Sequence, residues 1–289
     1  MLKKIINLAS HTSSYVLQFR EWNRQRNKKS RQKKRLSVEK SYKARLAVLA
    51  IMKNEEFGLR EWINHYLDQE VGKIFLIDNG STDRSKEIAE SFVDTGRVEY
   101  VFLPKKWSQR EHYWEVILRL KIREEFEWLL TADIDEFWFC RDGSKIPAKL
   151  SDFTGIDVVY TNWSVFGSSE LELQPESVRG SFVMRKPDLG PHIFTKWICR
   201  TSALKEFSQL EIHKIKGICS SRTVSENEYF QLNHYQIQSR EFYGNVKMRR
   251  GDAVNSIFDN ARNWDYFEKL DQDCTVEDNN LSQIVAGKS

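Results

Sequence analysis

The sequence predicts an α/β fold: a mostly parallel, twisted sheet with helices on both faces, followed by a longer and less regular C-terminal half. Three observations predict it. From Leu46 to Ala132, short apolar runs alternate with amphipathic helical stretches, the pattern of strand–helix–strand units. Polar clusters follow three of the runs: "KNEE" (53–56), "DNGSTD" (78–83) and "DIDE" (133–136). In an open parallel sheet the carboxyl ends of the strands face a common crevice, so the three clusters are expected to converge there.

The elements follow in order. "RLAVLAI" (45–51) reads as a buried strand. After the turn-like "MKNEEFG", residues Leu59, Trp62, Ile63, Tyr66 and Leu67 recur at the spacing of one helix face. "KIFLID" (73–78) is a second strand. Asn79 and Gly80 turn the chain, and Ser81 or Thr82 is expected to cap a helix running to Ser91. "VEYVF" (98–102) is a third strand, a helix is expected over 109–126, and "WLLTA" (128–132) is a fourth strand. Beyond Trp138 the alternation fades. "DVVYTNWSVFG" (157–167), "GSFVMR" (180–185) and "IFTKWICR" (193–200) read as further strands, and the tail from Ser239 as helical. The expected organisation is an arm over 1–44 and a single domain over 45–289, with halves 45–138 and 139–289.

Composition separates the arm from the body. The 289 residues carry a formal net charge of +4, but residues 1–45 hold 14 Lys and Arg against two acids, which leaves the body at −8. "RQRNKKSRQKKR" (24–35) has no apolar residue to bury and reads as a solvated helix or arm. Weakly amphipathic sequence before it suits an anionic membrane surface, and a solubilising tail is the equal alternative. Nucleic acid ranks third, because no aromatic residue interrupts the charge run. "IINLA" falls short of the roughly 7 to 15 apolar residues of a secretory signal, and no window nears the roughly 18 of a membrane span. The four cysteines lack CxxC spacing and read as reduced and structural. Together these point to a cytoplasmic protein, peripheral on the cytosolic face of a membrane if the arm binds lipid.

The acidic cluster carries the chemistry. Asp133 and Asp135 follow a buried strand, two residues apart, a spacing that lets their oxygens converge on a hard cation such as Mg2+ or Mn2+. Such an ion would hold a diphosphate and stabilise its departure. Lys196 and the cluster "KMRRG" (247–251) are candidates to counter phosphate charge, with a solvated basic face the favoured alternative for Lys247 and Arg249 more than for Arg250. Trp107, Gln109, Trp163 and Phe166 are candidates to line a ligand pocket, with core packing the alternative for each.

Taken together, "KNEEFGLREWINHYLDQEVGKIFLIDNGSTD" (53–83), "WLLTADIDEF" (128–137), "NWSVFGSS" (162–169), "FTKWICR" (194–200) and "NHYQIQSREFYGNVKMRRG" (233–251) resemble the GT-A glycosyltransferases, in particular their family 2-like and family 92-like (DUF23) branch. The pieces span about 200 residues. The resemblance implies a GT-A fold with a Rossmann-like nucleotide-binding half and an acceptor-binding half. It also implies inverting transfer of a sugar from a nucleotide-diphosphate donor, a UDP-sugar ahead of a GDP-sugar, to a glycan acceptor in surface polysaccharide or lipopolysaccharide synthesis. On this reading Asn54, Glu55, Asp78, Asn79, Gly80 and Asp83 border the base and ribose. Asp133 and Asp135 form a metal-binding DxD motif, and His234 completes the metal site or touches the diphosphate, with a structural role as its alternative and His213 as its rival. Inverting transfer needs a carboxylate base, for which Glu136 ranks ahead of Glu170. An inactive, arm-tethered binding module is the alternative. A DxD phosphatase ranks lower, because in that class the motif follows the first strand.

Overall fold

The computed structural model describes residues 42–187, 194–250 and 262–287, Arg250 by its backbone alone. Most of the basic arm and the Arg250 side chain therefore lie outside the described residues. The first strand, β1 (Ala44–Met52), is apolar at nearly every position because neither of its faces meets water. Leu46, Val48, Ala50 and Met52 enter one core, and Ala47, Leu49 and Ile51 enter a second, as the two-residue period of a strand requires. Helix α1 (Leu59–Asp68) covers the first core with Leu59, Trp62, Ile63 and Tyr66. Helix α2 (Ser85–Glu90) adds Ile88 and Ala89. Helix α3 (Gln109–Arg119) covers the second with Tyr113, Val116 and Ile117.

β1 lies between β2 (Lys73–Asp78) and β4 (Phe126–Thr131), parallel to both, and β3 (Val98–Phe102) runs parallel to β2 on the outside. The sheet continues past β4 through β8 (Thr195–Arg200), β6 (Val158–Val165), β10 (Phe230–His234) and β5 (Glu136–Cys140), giving the order β3-β2-β1-β4-β8-β6-β10-β5. β8 is antiparallel to both β4 and β6, while β10 is parallel to β6 and antiparallel to β5. The architecture is the expected α/β class with a curled, mostly parallel sheet. Strands β5 and β10 were not among the expected elements. Two final helices, α4 (Trp264–Gln272) and α5 (Asn280–Ala286), support the tail. Among the described residues no helix is long and apolar enough to cross a membrane.

Three local expectations differ from the structure. The helix expected over 109–126 is broken: it ends at Arg119, Lys121 adopts a left-handed backbone (φ 52°), and a short helical turn, Ile122–Glu125, leads into β4. The cap of α2 is neither Ser81 nor Thr82. Arg84 holds the cap position with no side-chain cap bond, Asp83 accepts from the Ser85 N–H at 2.9 Å, and the Ser81 hydroxyl is taken by the Asn54 N–H. "GSFVMR" is mostly not strand: Val178–Ser181 form a helical turn, leaving only Met184–Arg185 extended. The Glu61 carboxylate decides this by accepting from the Ser177 hydroxyl, the Val178 N–H and Arg179, an anion held at a helical start.

Candidate active site

The loops after β1 and β2 are stitched together. Asn54, in a left-handed conformation (φ 53°), donates its N–H to Ser81 Oγ at 3.1 Å and accepts from the Thr82 N–H at 2.8 Å. The Glu55 N–H reaches Ser85 Oγ at 2.7 Å and the Glu56 N–H reaches Asp83 at 3.1 Å. Asp78 accepts from the Ser81 N–H and the Tyr100 hydroxyl, and Asn79 donates to the carbonyls of Leu103 and Lys105. Gly80 is left-handed (φ 85°), which its lack of a Cβ permits. Asn54, Asp78, Gly80 and Asp83 thus tie the two loops together without joining the cleft lining, which Glu55 and Asn79 do join.

The acidic turn at the end of β4 is clamped from below. Trp62, on α1, donates its indole N–H to the carbonyls of Asp133 (2.8 Å) and Glu136 (3.0 Å), and the Tyr66 hydroxyl donates to the Glu136 carbonyl. Glu136 closes the turn by accepting from the Asp133 N–H at 2.9 Å. Burial pushes the Glu136 carboxyl well above its ordinary value, and the neighbouring Asp133 charge adds to that rise. For Asp133 burial acts in the same direction, but the Lys196 ammonium at 2.9 Å outweighs it and holds that carboxyl below its ordinary value. Lys196 is itself fully buried on β8 and also lies 3.4 Å from Glu136. Both facts revise the sequence reading. Glu136 is fully buried, is absent from the cleft lining and holds the turn in place, and Lys196, also absent from the lining, pairs with Asp133 and Glu136.

The opposite wall comes from the C-terminal half. β10 pairs its last residue, His234, with Glu136, so the ladder between β10 and β5 brings the histidine to the acidic turn. His234 Nε2 lies 3.6 Å from Asp135 Oδ1, its Nδ1 is buried without a hydrogen-bond partner, and its ring packs on Trp163 at 4.3 Å between centroids. Lys247 ends a π-helical turn, Tyr243–Lys247, and forms an ion pair with Asp135. It is buried, against the solvated face expected for it. His213 donates its Nδ1–H to the Thr195 carbonyl at 3.0 Å, and burial lowers its pKa, with Lys196 adding to the shift.

Between these walls lies a cleft of about 240 Å³ lined by Glu55, Asn79, Gln109, Asp133, Asp135, Trp163, His213 and His234 among others. The polar ends of β1, β2 and β4 do converge. Glu170 does not join them. It is exposed, left-handed (φ 62°), and absent from the lining. Trp107 is also outside the lining, and Phe166 is wholly in the core. Lining residues that the sequence reading did not single out are Ile51, Met52, Ile134, Ile212, Gln236 and Arg262. Gln236 lies in the bend after β10, past the end of the strand, and neither it nor Arg262 carried a periodicity signal.

The expected metal ligands fit a hard divalent ion in kind, since two carboxylates and an imidazole meet at one end of the cleft and the imidazole keeps an orphan nitrogen. Among the described residues no three such side chains stand at ligand spacing, and each aspartate is paired with a lysine.

The fold and site together define an α/β domain with an acidic, cation-balanced cleft at the carboxyl edge of its parallel strands. Residues 50–274 match the family model of glycosyltransferase family 92, so the chain belongs to that family. A glycosyltransferase family 92 protein of Arabidopsis thaliana is 22% identical over 237 residues, 78% of this chain and 37% of that protein. One of Oryza sativa subsp. japonica is 29% identical over 92 residues, 32% of this chain and 16% of that protein. The chain thus spans well under half the length of these curated relatives. Among solved structures, S. aureus TarS 1–349 in complex with UDP is 16% identical, with a TM-score of 0.43 and coverage of 71% of this chain and 63% of that one. GalNAc-T7 with UDP, GalNAc and Mn2+ is 11% identical, with a TM-score of 0.41 and coverage of 66% and 44%.

Proposed function

We propose that this protein is a metal-dependent, inverting glycosyltransferase that moves a sugar from a nucleotide-diphosphate donor to a hydroxyl of a glycan acceptor. One observation carries the reading: within the family 92 segment, the turn bearing Asp133 and Asp135 opens into the same cleft as Glu55 and Asn79 from the neighbouring strand ends. Asp133, Asp135 and His234 would hold the ion, which when bound supplies positive charge against the leaving diphosphate. Glu55 and Asn79 border the nucleoside end. Trp62, Tyr66 and Glu136 keep the turn rigid, so the aspartates need no rearrangement of backbone to receive the donor. Trp163, packed against His234 at the cleft wall, offers a ring face for a sugar.

The test is a thermal-shift screen of UDP, GDP, CMP and their sugar conjugates, with and without Mn2+, on the wild type and Asp135→Asn. Stabilisation by a uridine nucleotide that requires both Mn2+ and Asp135 is expected. No shift with any nucleotide would remove the proposal and favour an inactive binding module. We propose further that the basic arm holds the protein at the cytosolic face of an anionic membrane during assembly of a surface polysaccharide or lipopolysaccharide. Sedimentation with phosphatidylserine-containing liposomes should then fall on deletion of residues 1–40, and unchanged sedimentation would end that part.

A further inference from the structure

We infer that Lys247 is an exchangeable counter-ion of the DxD turn: it occupies Asp135 while the cleft lacks a donor, and moves to the donor's diphosphate when metal and nucleotide arrive together. The inference rests on the sugar-transfer reading above. Lys247 and Asp135 are both buried, both line the cleft, and are ion-paired with each other. Burying such a pair is costly and adds little to stability relative to apolar packing of the same volume, so its retention in a cleft wall calls for a task. Lys247 also sits at the end of a π-helical turn, a rare backbone form that concentrates at functional sites.

The charges give the task. Asp133, Asp135 and Glu136 fall within four residues, and Lys196 already bridges Asp133 and Glu136. With Lys247 on Asp135, the turn is close to neutral before any ion binds. A divalent cation entering alone must displace the ammonium from Asp135 or lie beside it, and either is unfavourable in a buried site. A nucleotide diphosphate removes the conflict, because its negative charge accommodates the ion and the ammonium together. The four-carbon stem of a lysine allows the shift without movement of the backbone. Lys247 therefore suppresses binding of metal without donor and couples metal uptake to nucleotide uptake. Its positive charge acts against metal in the free protein and in favour of nucleotide in the loaded one.

The experiment measures Mn2+ binding to the full chain by electron paramagnetic resonance of free Mn2+, with and without UDP, for the wild type, Lys247→Met and Lys247→Arg. Charged hydrogen-bond contributions set the expected scale. In Lys247→Met, Mn2+ affinity without UDP should rise about tenfold and UDP affinity at saturating Mn2+ should fall about tenfold. Lys247→Arg should stay near the wild type in both. If Lys247→Met melts too low to assay, Lys247→Gln carries the same expectation. Unchanged or weaker Mn2+ binding by the neutral variants overturns the inference. If that result accompanies Mn2+-dependent UDP binding that Asp135→Asn abolishes, the sugar-transfer reading stands and only the role of Lys247 falls. If no variant and not the wild type takes up Mn2+ even with UDP, both are overturned.

Discussion

Lys196 on β8 places its ammonium 2.9 Å from Asp133 Oδ2 and 3.4 Å from Glu136 Oε2, although it is 63 residues from the first and wholly buried. Replacing it with Met leaves the Glu136 carboxyl buried against Asp133 with no cation, so unfolding free energy at pH 7 should fall by about 3 kcal/mol. Urea unfolding measures this. A loss below about 1 kcal/mol would mean that the carboxyls need no counter-charge, against the usual cost of stranding a buried ion.

Trp62 joins the core to the chemistry, since one indole N–H serves two carbonyls of the acidic turn. Trp62→Phe keeps most of the apolar volume and removes the donor. Stability should drop by about 1 to 3 kcal/mol, and Mn2+-dependent nucleotide binding should weaken at temperatures well below the melt. Calorimetric titration of UDP with the folded variant reads this, and wild-type affinity would show that the clamp does not position the aspartates.

Gly167 is tightly enclosed. A Cβ there would lie 2.6 Å from Asp271 Oδ1 and 2.8 Å from Cys274 Cβ, and the same Asp271 accepts from the Ser168 N–H and hydroxyl. Gly167→Ala should cost about 1 to 3 kcal/mol through overpacking, read as a lower melting temperature. A neutral result would place slack between α4 and the end of β6 where the structure has contact.

The four cysteines should differ sharply in reactivity. Burial pushes the thiols of Cys140 (to about 11), Cys274 (to about 12) and Cys199 upward. Cys219 is exposed, and hydrogen bonds from Ser221 lower its thiol. A lowered thiol pKa means that thiolate appears at lower pH. Native protein should therefore release one equivalent with a disulfide reagent, and its labelling rate should reach half-maximum below the ordinary cysteine value of about 8.5. Cys219→Ser should abolish the native reaction. Rapid labelling of a second thiol would contradict the burial of the other three.

The sequence by itself determined most elements of the first half, residues 45–138. β1 and β4 are legible because strands covered on both faces must be apolar throughout, α1 because Leu59, Trp62, Ile63 and Tyr66 keep helical spacing, and the acidic turn because three carboxylates directly after a buried strand have no place in a core. The C-terminal half was less legible, since β10 hides in "FQLNH", a mixed polar stretch that becomes strand only when β5 and β6 flank it. Tertiary structure alone decided the partners of the acids. Lys247 reads as a surface charge in "KMRRG", yet Asp135, 112 residues away, makes it a buried ion pair. Glu136 reads as a free base, yet the same folding surrounds it with Trp62, Tyr66 and Lys196 and turns it into a brace. Periodicity records which side of a local element is apolar, and that is written in neighbouring residues. The state of a charge depends on what long-range folding sets within a few ångströms of it, where desolvation and counter-charge outweigh anything its own segment specifies.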